Sequence, residues 1–471
     1  MKALFTLILT LSLAGCVTPQ AEDPRGSAVD GRTLGLTGQA LTPAVNEWWK
    51  ALGDPQLDRL IADATRNSPT LAQAMARVRG AQAQAQAAGA ATHPAFTLDA
   101  DETWQRFSEN YYIPPPFGGH AYWIGQVGVN LNWDLDFWGR QSSLIEQARS
   151  QVIASDLDIA AAKLALAGSI TQTYVDLHRA WQMIDIADRL LAQREQLLKL
   201  TQERVNAGLE SQIDLRTSEA VLPQARSAKL QAESARDLAI HRLASLVGEG
   251  ANRYPQIERP QLSLDAAFTL PDQLPIDLLA HRPDVLAARA RVEAASSGRE
   301  AAHAAFYPDL SLKAFVGTQA IGLENLTDSG SLVYGVGPAL HLPIFDAQRL
   351  RAGYKRATAE LDASVASYNS AVLDAVRQTA DQISLQDSYT RQIAEAQQTL
   401  QAASAAFELA RKRYSAGLST QLVVLDAESR VLDAQRELVN VNAGRVASRI
   451  NLLLALGGSF DPAAPVTSGA L

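Results

Sequence analysis

The sequence predicts an internally duplicated α+β membrane protein with four β-strands and two pairs of long helices in each chain. Three observations carry this prediction. A unit of about 200 residues occurs twice, which is far longer than a solenoid repeat. Two stretches alternate apolar and polar residues with the period of a strand. Two segments of 67 residues are rich in Ala, Gln and Glu and contain no proline, as expected of long helices.

The repeat divides the chain into two half-molecules. Residues 67–100 align with residues 281–314 at an offset of 214, with 13 identities in 34 positions. From Val127 onward the offset is 209 and holds to Gly248, so the five-residue difference must lie between residues 100 and 127. We expect a first structural repeat at 47–250 and a second at 275–458, separated by a linker at 251–274 and followed by a tail at 459–471.

The N-terminus has the features of an export signal. Lys2 and an apolar run precede Leu13-Ala14-Gly15-Cys16, which resembles the bacterial lipoprotein box. The resemblance implies a signal peptide at 1–15, a covalent lipid on Cys16 and a lipidated linker at 16–46; the alternative is a plain secretory peptide. Cys16 is the only cysteine, which excludes disulfides, and Val17 after it favours the outer membrane. Two or more acyl chains would make the anchoring stable.

Charge and hydropathy exclude two classes of protein. The chain has a net charge of −8, and loss of Lys2 with the signal peptide leaves 41 basic and 50 acidic residues. An acidic chain is a poor partner for nucleic acid. Although 47 % of the residues are hydrophobic, no run after residue 15 approaches the roughly 18–20 apolar residues of a membrane helix. Any further contact with a membrane must involve strands or lipid.

The first repeat opens with a helix and a strand. Asp58–Thr92 contains only one proline and predicts a helix that ends at His93-Pro94. Phe96–Asp101 alternates and predicts a strand, and Ser108–His120 is a loop with three prolines and two glycines. Trp123–Phe137 then alternates over about 15 residues, longer than the usual 5–6 of a soluble strand. This length favours a tilted membrane strand, although a long strand of a soluble sandwich is the alternative.

Long helices follow. Arg140–Asn206 would span about 100 Å at 1.5 Å per residue. Gly208 breaks this helix, and Ser211–Leu246 predicts a return helix with a kink at Pro223. The second repeat predicts the same order of elements: a helix at Ala290–Ala305, a strand at Leu310–Gln319, a loop at Ala320–Ser331, a strand at Leu332–Phe345, and helices at Arg349–Ser415 and Thr420–Leu456.

The number of strands requires an oligomer. Four strands cannot close a barrel, since bacterial membrane barrels have at least eight. An open sheet cannot face lipid, because its edges would remain without hydrogen bonds. Three copies would give twelve strands with room for a pore, whereas two would give a narrow eight-stranded barrel filled by side chains.

Several motifs, in the same order, resemble those of the TolC-like outer-membrane efflux lipoproteins, and most closely the NodT/OprM-type branch. The resemblance covers about residues 45–458. It rests on Trp48-Trp49, Asp54-Pro55-x-Leu57, Trp133-Asp134-Leu135-Asp136-Phe137-Trp138-Gly139-Arg140, His281-Arg282-Pro283-Asp284-Val285 and Leu342-Pro343-Ile344-Phe345-Asp346.

The resemblance implies a homotrimer with a 12-stranded outer-membrane β-barrel and a long periplasmic α-helical barrel. It implies passive efflux of small toxic compounds, with no cofactor besides the lipid. The partners would be outer-membrane lipid, a periplasmic adaptor protein and an inner-membrane transporter of the RND type. The exit duct of a type I protein-secretion system has the same fold and is the alternative. Three methionines make a methionine-lined copper path a poor fit.

The resemblance also assigns site residues. Gly208, Leu209, Gly417 and Leu418 would form the periplasmic tip where the adaptor docks, although both glycines also fit ordinary helix-ending turns. Asp214 and Tyr414 stand at gate positions, where a hydrogen bond between them would hold the tip closed. Asp426 stands at a constriction position, where three carboxylates would attract cations.

The chain departs from the family pattern at two positions. Val423 replaces a second constriction acid, and Ser419 stands where some members have an arginine. We therefore expect one acid ring and a weaker gate. The two repeats also differ at this end: Asp214 faces Val423 in the alignment, Thr217 faces Asp426, and Val205 faces Tyr414.

Two other classes of protein explain less of the sequence. An enzyme is disfavoured because the seven histidines are scattered and no catalytic, metal or phosphate-loop motif is present. A soluble periplasmic coiled-coil protein would explain the long helices, but neither the alternating strands nor the lipobox.

Overall fold

A computed structural model describes residues 23–30, 33–36, 47–110, 113–263, 275, 277–343, 346–458 and 460. The predicted signal peptide, Cys16, most of the 16–46 linker, residues 264–274 of the inter-repeat linker, and residues 459 and 461–471 of the tail lie outside these residues. The chain forms two compact units. The sheet unit contains Arg77–Ser155 and Ala287–Asn369 with described residues up to Ala28; the helical unit contains Val29–Ala76, Asp156–Leu286 and Ser370–Leu471.

Seven helices and four strands make up the two repeats in the described part of the chain. The helices are α1 Pro55–Asn67, α2 Pro69–Ala90, α3 Arg140–Asn206, α4 Gln212–Val247, α5 Pro283–Ala304, α6 Ala347–Ser415 and α7 Gln421–Ala455. The strands are β1 Ala95–Arg106, β2 Ala121–Leu135, β3 Asp309–Ile321 and β4 Leu332–His341. Within the described residues, every helix is too short or too polar to cross a membrane.

The long helices agree with the sequence prediction, and α3 has the predicted bounds. The predicted helix Asp58–Thr92 is wrong as one element, because Ser68 adopts extended backbone (φ −64°, ψ 121°) and separates α1 from α2. Pro69 causes the break, since the residue before a proline avoids helical geometry. In the second repeat α5 begins at Pro283 rather than Ala290. Here too a proline occupies the first turn of the helix. A backbone N–H at that position would have no partner within the helix, so its absence from proline costs nothing.

The four strands form one antiparallel sheet in the order β1-β2-β3-β4. Each repeat therefore contributes one hairpin, and β1 and β4 are the sheet edges. Strands β2 and β4 end at Leu135 and His341, before the predicted Phe137 and Phe345. Asp136 follows the end of β2. Its carboxylate accepts hydrogen bonds from the N–H groups of Gln141 (2.9 Å) and Ser142 (2.7 Å), and so caps the first turn of α3.

The strand register separates an apolar face from a polar one. Rows of paired residues cross all four strands, and the apolar rows are exposed over much of their area in the single chain. Two such rows are Leu98–Val129–Val316–Tyr334 and Phe96–Leu131–Ala314–Val336. The opposite face carries Asp99, Asp101, Gln126, Asn130, Asn132, Lys313 and Gln319. The predicted alternation is confirmed in the first repeat, whereas β4 of the second repeat has Val, Gly and Ala on the face opposite the apolar rows.

The core of the helical unit is built around a buried carboxylate. Asp54 begins α1, and its Oδ2 accepts hydrogen bonds from the Tyr174 hydroxyl and the Gln261 N–H, each at 2.7 Å. Gln56 adds a hydrogen bond from Nε2 to the Tyr174 oxygen at 2.6 Å. One carboxylate thus joins α1, α3 and the inter-repeat linker beside a cluster of buried Leu, Ile and Trp side chains.

Both return helices end in the same way. Gly248 after α4 and Gly457 after α7 occupy equivalent repeat positions and have φ values of 83° and 92°. A Cβ on Gly248 would lie 2.6 Å from the Asn67 carbonyl oxygen, and one on Gly457 would overlap that of His281. Asn67 and His281 are themselves equivalent, so the duplication has preserved this close approach.

Arg282 gives the His281–Val285 motif a structural role. The side chain is buried, and its Nη1 donates to the carbonyl oxygen of Ala455 at the end of α7 (3.0 Å). Its Nε and Nη2 hold the Asp284 carboxylate at 3.0 and 2.7 Å. The planar guanidinium thereby joins the start of α5 to the end of α7.

Candidate functional site: the helical tips

Two equivalent turns join the long helices to their return helices. Gly208 and Gly417 have φ values of 73° and 75°, a conformation that glycine adopts without a Cβ penalty. The Leu209 N–H donates to the Arg204 carbonyl and the Leu418 N–H to the Arg413 carbonyl, each at 2.8 Å. These are the 6→1 hydrogen bonds of a Schellman motif, so both glycines do end helices.

Each turn also exposes two apolar side chains. Leu209 is 67 % exposed and Leu418 is 69 % exposed, and Ile213 and Leu422 are similarly open one turn into the return helices. The two pairs occupy equivalent repeat positions. These four exposed apolar side chains lie at or beside the two turns and form a candidate contact surface.

Asp214 forms a capping box at the start of α4. Its Oδ2 accepts hydrogen bonds from the Ser211 hydroxyl at 2.6 Å and the Ser211 N–H at 3.2 Å, while its own N–H donates to Ser211 Oγ. The carboxylate therefore has a local structural role. Among the described residues of the single chain, Asp214 makes no hydrogen bond with Tyr414.

Tyr414 is 1 % exposed and is held by other groups. The Arg204 guanidinium lies 4.9 Å from its ring centroid, and Arg204 Nε pairs with Glu210 Oε1 at 3.2 Å. The hydroxyl lies beside Thr201 and Glu210 without a hydrogen bond of normal geometry. Burial raises the pKa of Tyr414 to about 12; Thr201 opposes this shift, and the Glu210 carboxylate adds to it.

Asp426 is exposed on α7 and pairs with Arg430 one turn later at 3.1 Å. Both side chains are largely open to solvent, so the pair has little energetic weight in the single chain. Leu425 and Ala427 beside it are buried. The structure of one chain therefore presents Asp426 away from the packed side of α7.

Polar side chains that the sequence analysis did not single out fill the packed side. Arg194 on α3 pairs with Glu428 on α7 at 2.9 Å. Gln421 donates from Nε2 to Thr201 Oγ1 at 3.0 Å and to Ser218 Oγ. Burial raises the pKa of Glu428, and Arg194 opposes this shift. The repeat alignment does mark two of these residues, because the polar Thr201 and Ser218 of the first repeat correspond to Ala410 and Ala427 in the second.

Comparison with known proteins identifies the family. Residues 60–249 and 274–458 match the outer membrane efflux protein family. The chain belongs to this family. It is 35 % identical to the fusaric acid resistance protein FusA of Burkholderia cepacia over 361 residues, which cover 74 % of this chain and 68 % of FusA. It is 31 % identical over 467 residues to the pyoverdine export outer membrane protein OpmQ of Pseudomonas aeruginosa, which cover 98 % of both proteins.

A solved structure supports the same assignment. The outer membrane protein VceC of Vibrio cholerae is 35 % identical and superposes with a TM-score of 0.84, over 89 % of this chain and 100 % of VceC. The predicted resemblance to TolC-like proteins is therefore confirmed, as is the predicted function of an outer membrane efflux channel. In the described residues, no group of three or more His, Cys, Asp or Glu side chains is arranged to hold a metal ion.

Proposed function

We propose that three copies of the chain form the exit duct of a tripartite efflux system. The open sheet supports this assembly: its apolar rows run across all four strands, and both edge strands have unused hydrogen-bonding groups. Lipid on one face requires those groups to be paired, which closure with neighbouring chains provides. Three sheets of four strands give a 12-stranded barrel, and the long helices form the periplasmic barrel. Lipidated Cys16 adds an anchor in the outer membrane.

The tip turns are the adaptor site in this proposal. Leu209 and Leu418, with Ile213 and Leu422, present two similar apolar contacts per chain. A trimer would therefore offer six such contacts around its axis, alternating between the two repeats. The adaptor would connect them to an inner-membrane transporter of the RND type, which supplies the energy for an otherwise passive channel.

The gate and constriction residues are Asp214, Tyr414 and Asp426. The Asp426 carboxylates of three chains would surround the axis, attract cations and repel one another. Tyr414 packs within its own chain, and Asp214 has an intrachain partner, so a link between these two residues would require a rearrangement or a neighbouring chain.

The cargo in this proposal is small toxic organic compounds. This proposal is based on the names of similar proteins, which mention fusaric acid resistance, pyoverdine export and solvent efflux. The exit duct of a type I protein-secretion system is the alternative. Deletion of the gene followed by a panel of toxic compounds separates them: hypersensitivity to small compounds supports efflux, whereas loss of a secreted protein with unchanged sensitivity supports secretion.

Bilayer conductance tests the channel directly. Purified protein should produce cation-selective steps, and Asp426→Asn should reduce the preference for cations. Conductance that shows no ion preference in either protein would contradict the constriction role of Asp426. Leu209→Ser with Leu418→Ser should abolish efflux in cells while conductance in the bilayer persists, because only docking is removed.

A further inference from the structure

Two buried polar layers join α3 to α7 in the helical unit. Arg194 and Glu428 form the first, with side chains 9 % and 4 % exposed and an N···O distance of 2.9 Å. Thr201 and Gln421 form the second, joined at 3.0 Å. The partners are seven residues apart on each antiparallel helix, so both layers lie on the same seam, two helical turns apart.

A buried ion pair is a poor means of adding stability. Apolar side chains of similar volume usually pack as well or better, because the charges lose their hydration. Removing one partner is nevertheless costly, because the other charge remains buried alone. Such a pair therefore favours one alignment of two helices over others, as a buried polar residue does in a coiled coil.

The helices concerned need such a device. Both α3 and α7 are long, and their apolar contacts are non-directional, so these contacts alone specify the alignment of the two helices less strictly than paired polar groups do. A shift of α7 by one turn would separate Glu428 from Arg194 and Gln421 from Thr201 together. The repeat supplies a comparison, since Arg194, Thr201 and Ser218 correspond to Ala403, Ala410 and Ala427. The return-helix residues Gln421 and Glu428 correspond to Gln212 and Glu219, so it is the polar partners on the long helix that occur in the first repeat only.

The seam also determines the placement of Asp426. Glu428 lies two residues after Asp426 on α7 and is buried, whereas Asp426 is exposed. We propose that the Arg194–Glu428 pair and the Gln421 layer form a register lock that positions α7, and with it Asp426, and that separates when the tip opens. This inference rests on the proposed channel function. Arg194 and Glu428 are positioning residues and do not contact the cargo.

Single and double substitutions test the lock in the bilayer assay with the full-length protein. Glu428→Gln and Arg194→Met should each raise the open probability at least about tenfold, a change of about 1.4 kcal/mol in the closed–open equilibrium. The double variant Arg194→Met with Glu428→Met should remain at least as open as the single variants, because apolar side chains fill the space without fixing one alignment of α3 and α7. Tyr174→Phe is the control, since it removes a buried hydrogen bond of the unit away from the tip.

A cross-linked cysteine pair tests the lock even if the single variants fail to assemble. Cysteines at Thr201 and Gln421, joined by a short bifunctional methanethiosulfonate, should lower conductance, with recovery on reduction. Single variants that conduct like the wild type, a double variant that returns to the wild-type open probability, or a cross-linked cysteine pair that opens normally would each overturn the lock. A wild-type protein that never conducts would instead contradict the proposed channel.

Discussion

Single residues with several hydrogen bonds hold the helical unit together. Asp54 receives a hydrogen bond from a side chain 120 positions away and from a backbone N–H 207 positions away. The sequence marks Asp54 only as part of a motif and as a helix start. Its partners follow from the packing of α1 against α3, which local periodicity does not specify.

We predict that Tyr174→Phe lowers the free energy of unfolding by about 1–3 kcal/mol, because Asp54 loses a donor while it stays buried. Denaturation of the detergent-solubilised protein measures this change. Tyr334→Phe is the matched control, since Tyr334 is exposed on the sheet, and it should behave like the wild type. Equal stabilities for all three proteins would show that the hydroxyl of Tyr174 is not needed by Asp54.

Tyr414 should make the tip sensitive to alkali. Its pKa is raised from 10.0 to about 12, so the folded state favours the neutral phenol. This contribution is complete below pH 10 and is lost as the pH rises through about 12. Thermal unfolding across this window should show a steeper loss of stability for the wild type than for Tyr414→Phe. Parallel curves would contradict the burial of an un-ionised phenol.

Among the elements, the helix ends show how the duplication constrains the fold. Gly248 and Gly457 combine a positive φ with a backbone carbonyl in the place of a Cβ. Equivalent carbonyls from Asn67 and His281 form both close approaches. The end of each return helix therefore lies against backbone from the first part of its own repeat.

We predict that Gly248→Ala destabilises the protein by about 1–3 kcal/mol, since it adds backbone strain and a steric overlap. Gly250→Ala is the control, because Gly250 has open space around it and lacks a positive φ. Urea unfolding of the helical unit compares the two. A Gly248→Ala protein as stable as Gly250→Ala would mean that the Asn67 segment moves aside without cost.

The elements also show how far the sequence determines the structure. The bounds of α3 follow from composition, because Gly139 and Gly208 flank a segment without proline. The proline rule that predicts the end of the helix at His93 also predicts a break at Ser68, so the sequence alone is sufficient to locate this break. The sequence alone does not locate the α3–α7 seam, because periodicity does not show which faces of these Ala- and Gln-rich helices meet.

For the whole molecule, the open sheet leads to a test of closure. Leu98 on β1 and Tyr334 on β4 belong to one row and lie at opposite edges of the sheet. A cysteine at Leu98, combined in turn with one at each apolar-row position of β4 (Leu332, Tyr334, Val336 and Leu340) and treated with a short bifunctional maleimide, should link chains into species of up to three at the position that the stagger of the closed barrel brings beside Leu98. Cysteines at Val129 and Val316 are the control, because these residues already pair within one chain. Products with two chains and none with three would favour the eight-stranded dimer.

Because β2 pairs with β3 within one chain, fewer molecules have to meet to close a ring of strands. In a twelve-stranded ring six hairpins meet at six junctions, and each chain already contains one of them, between its two hairpins. Three of the six junctions are therefore intramolecular and form at a high effective concentration, whatever the amount of protein in the membrane. A chain with one hairpin would need six molecules to meet. With two hairpins per chain the proposed ring would need three molecules, so its closure should persist at much lower expression.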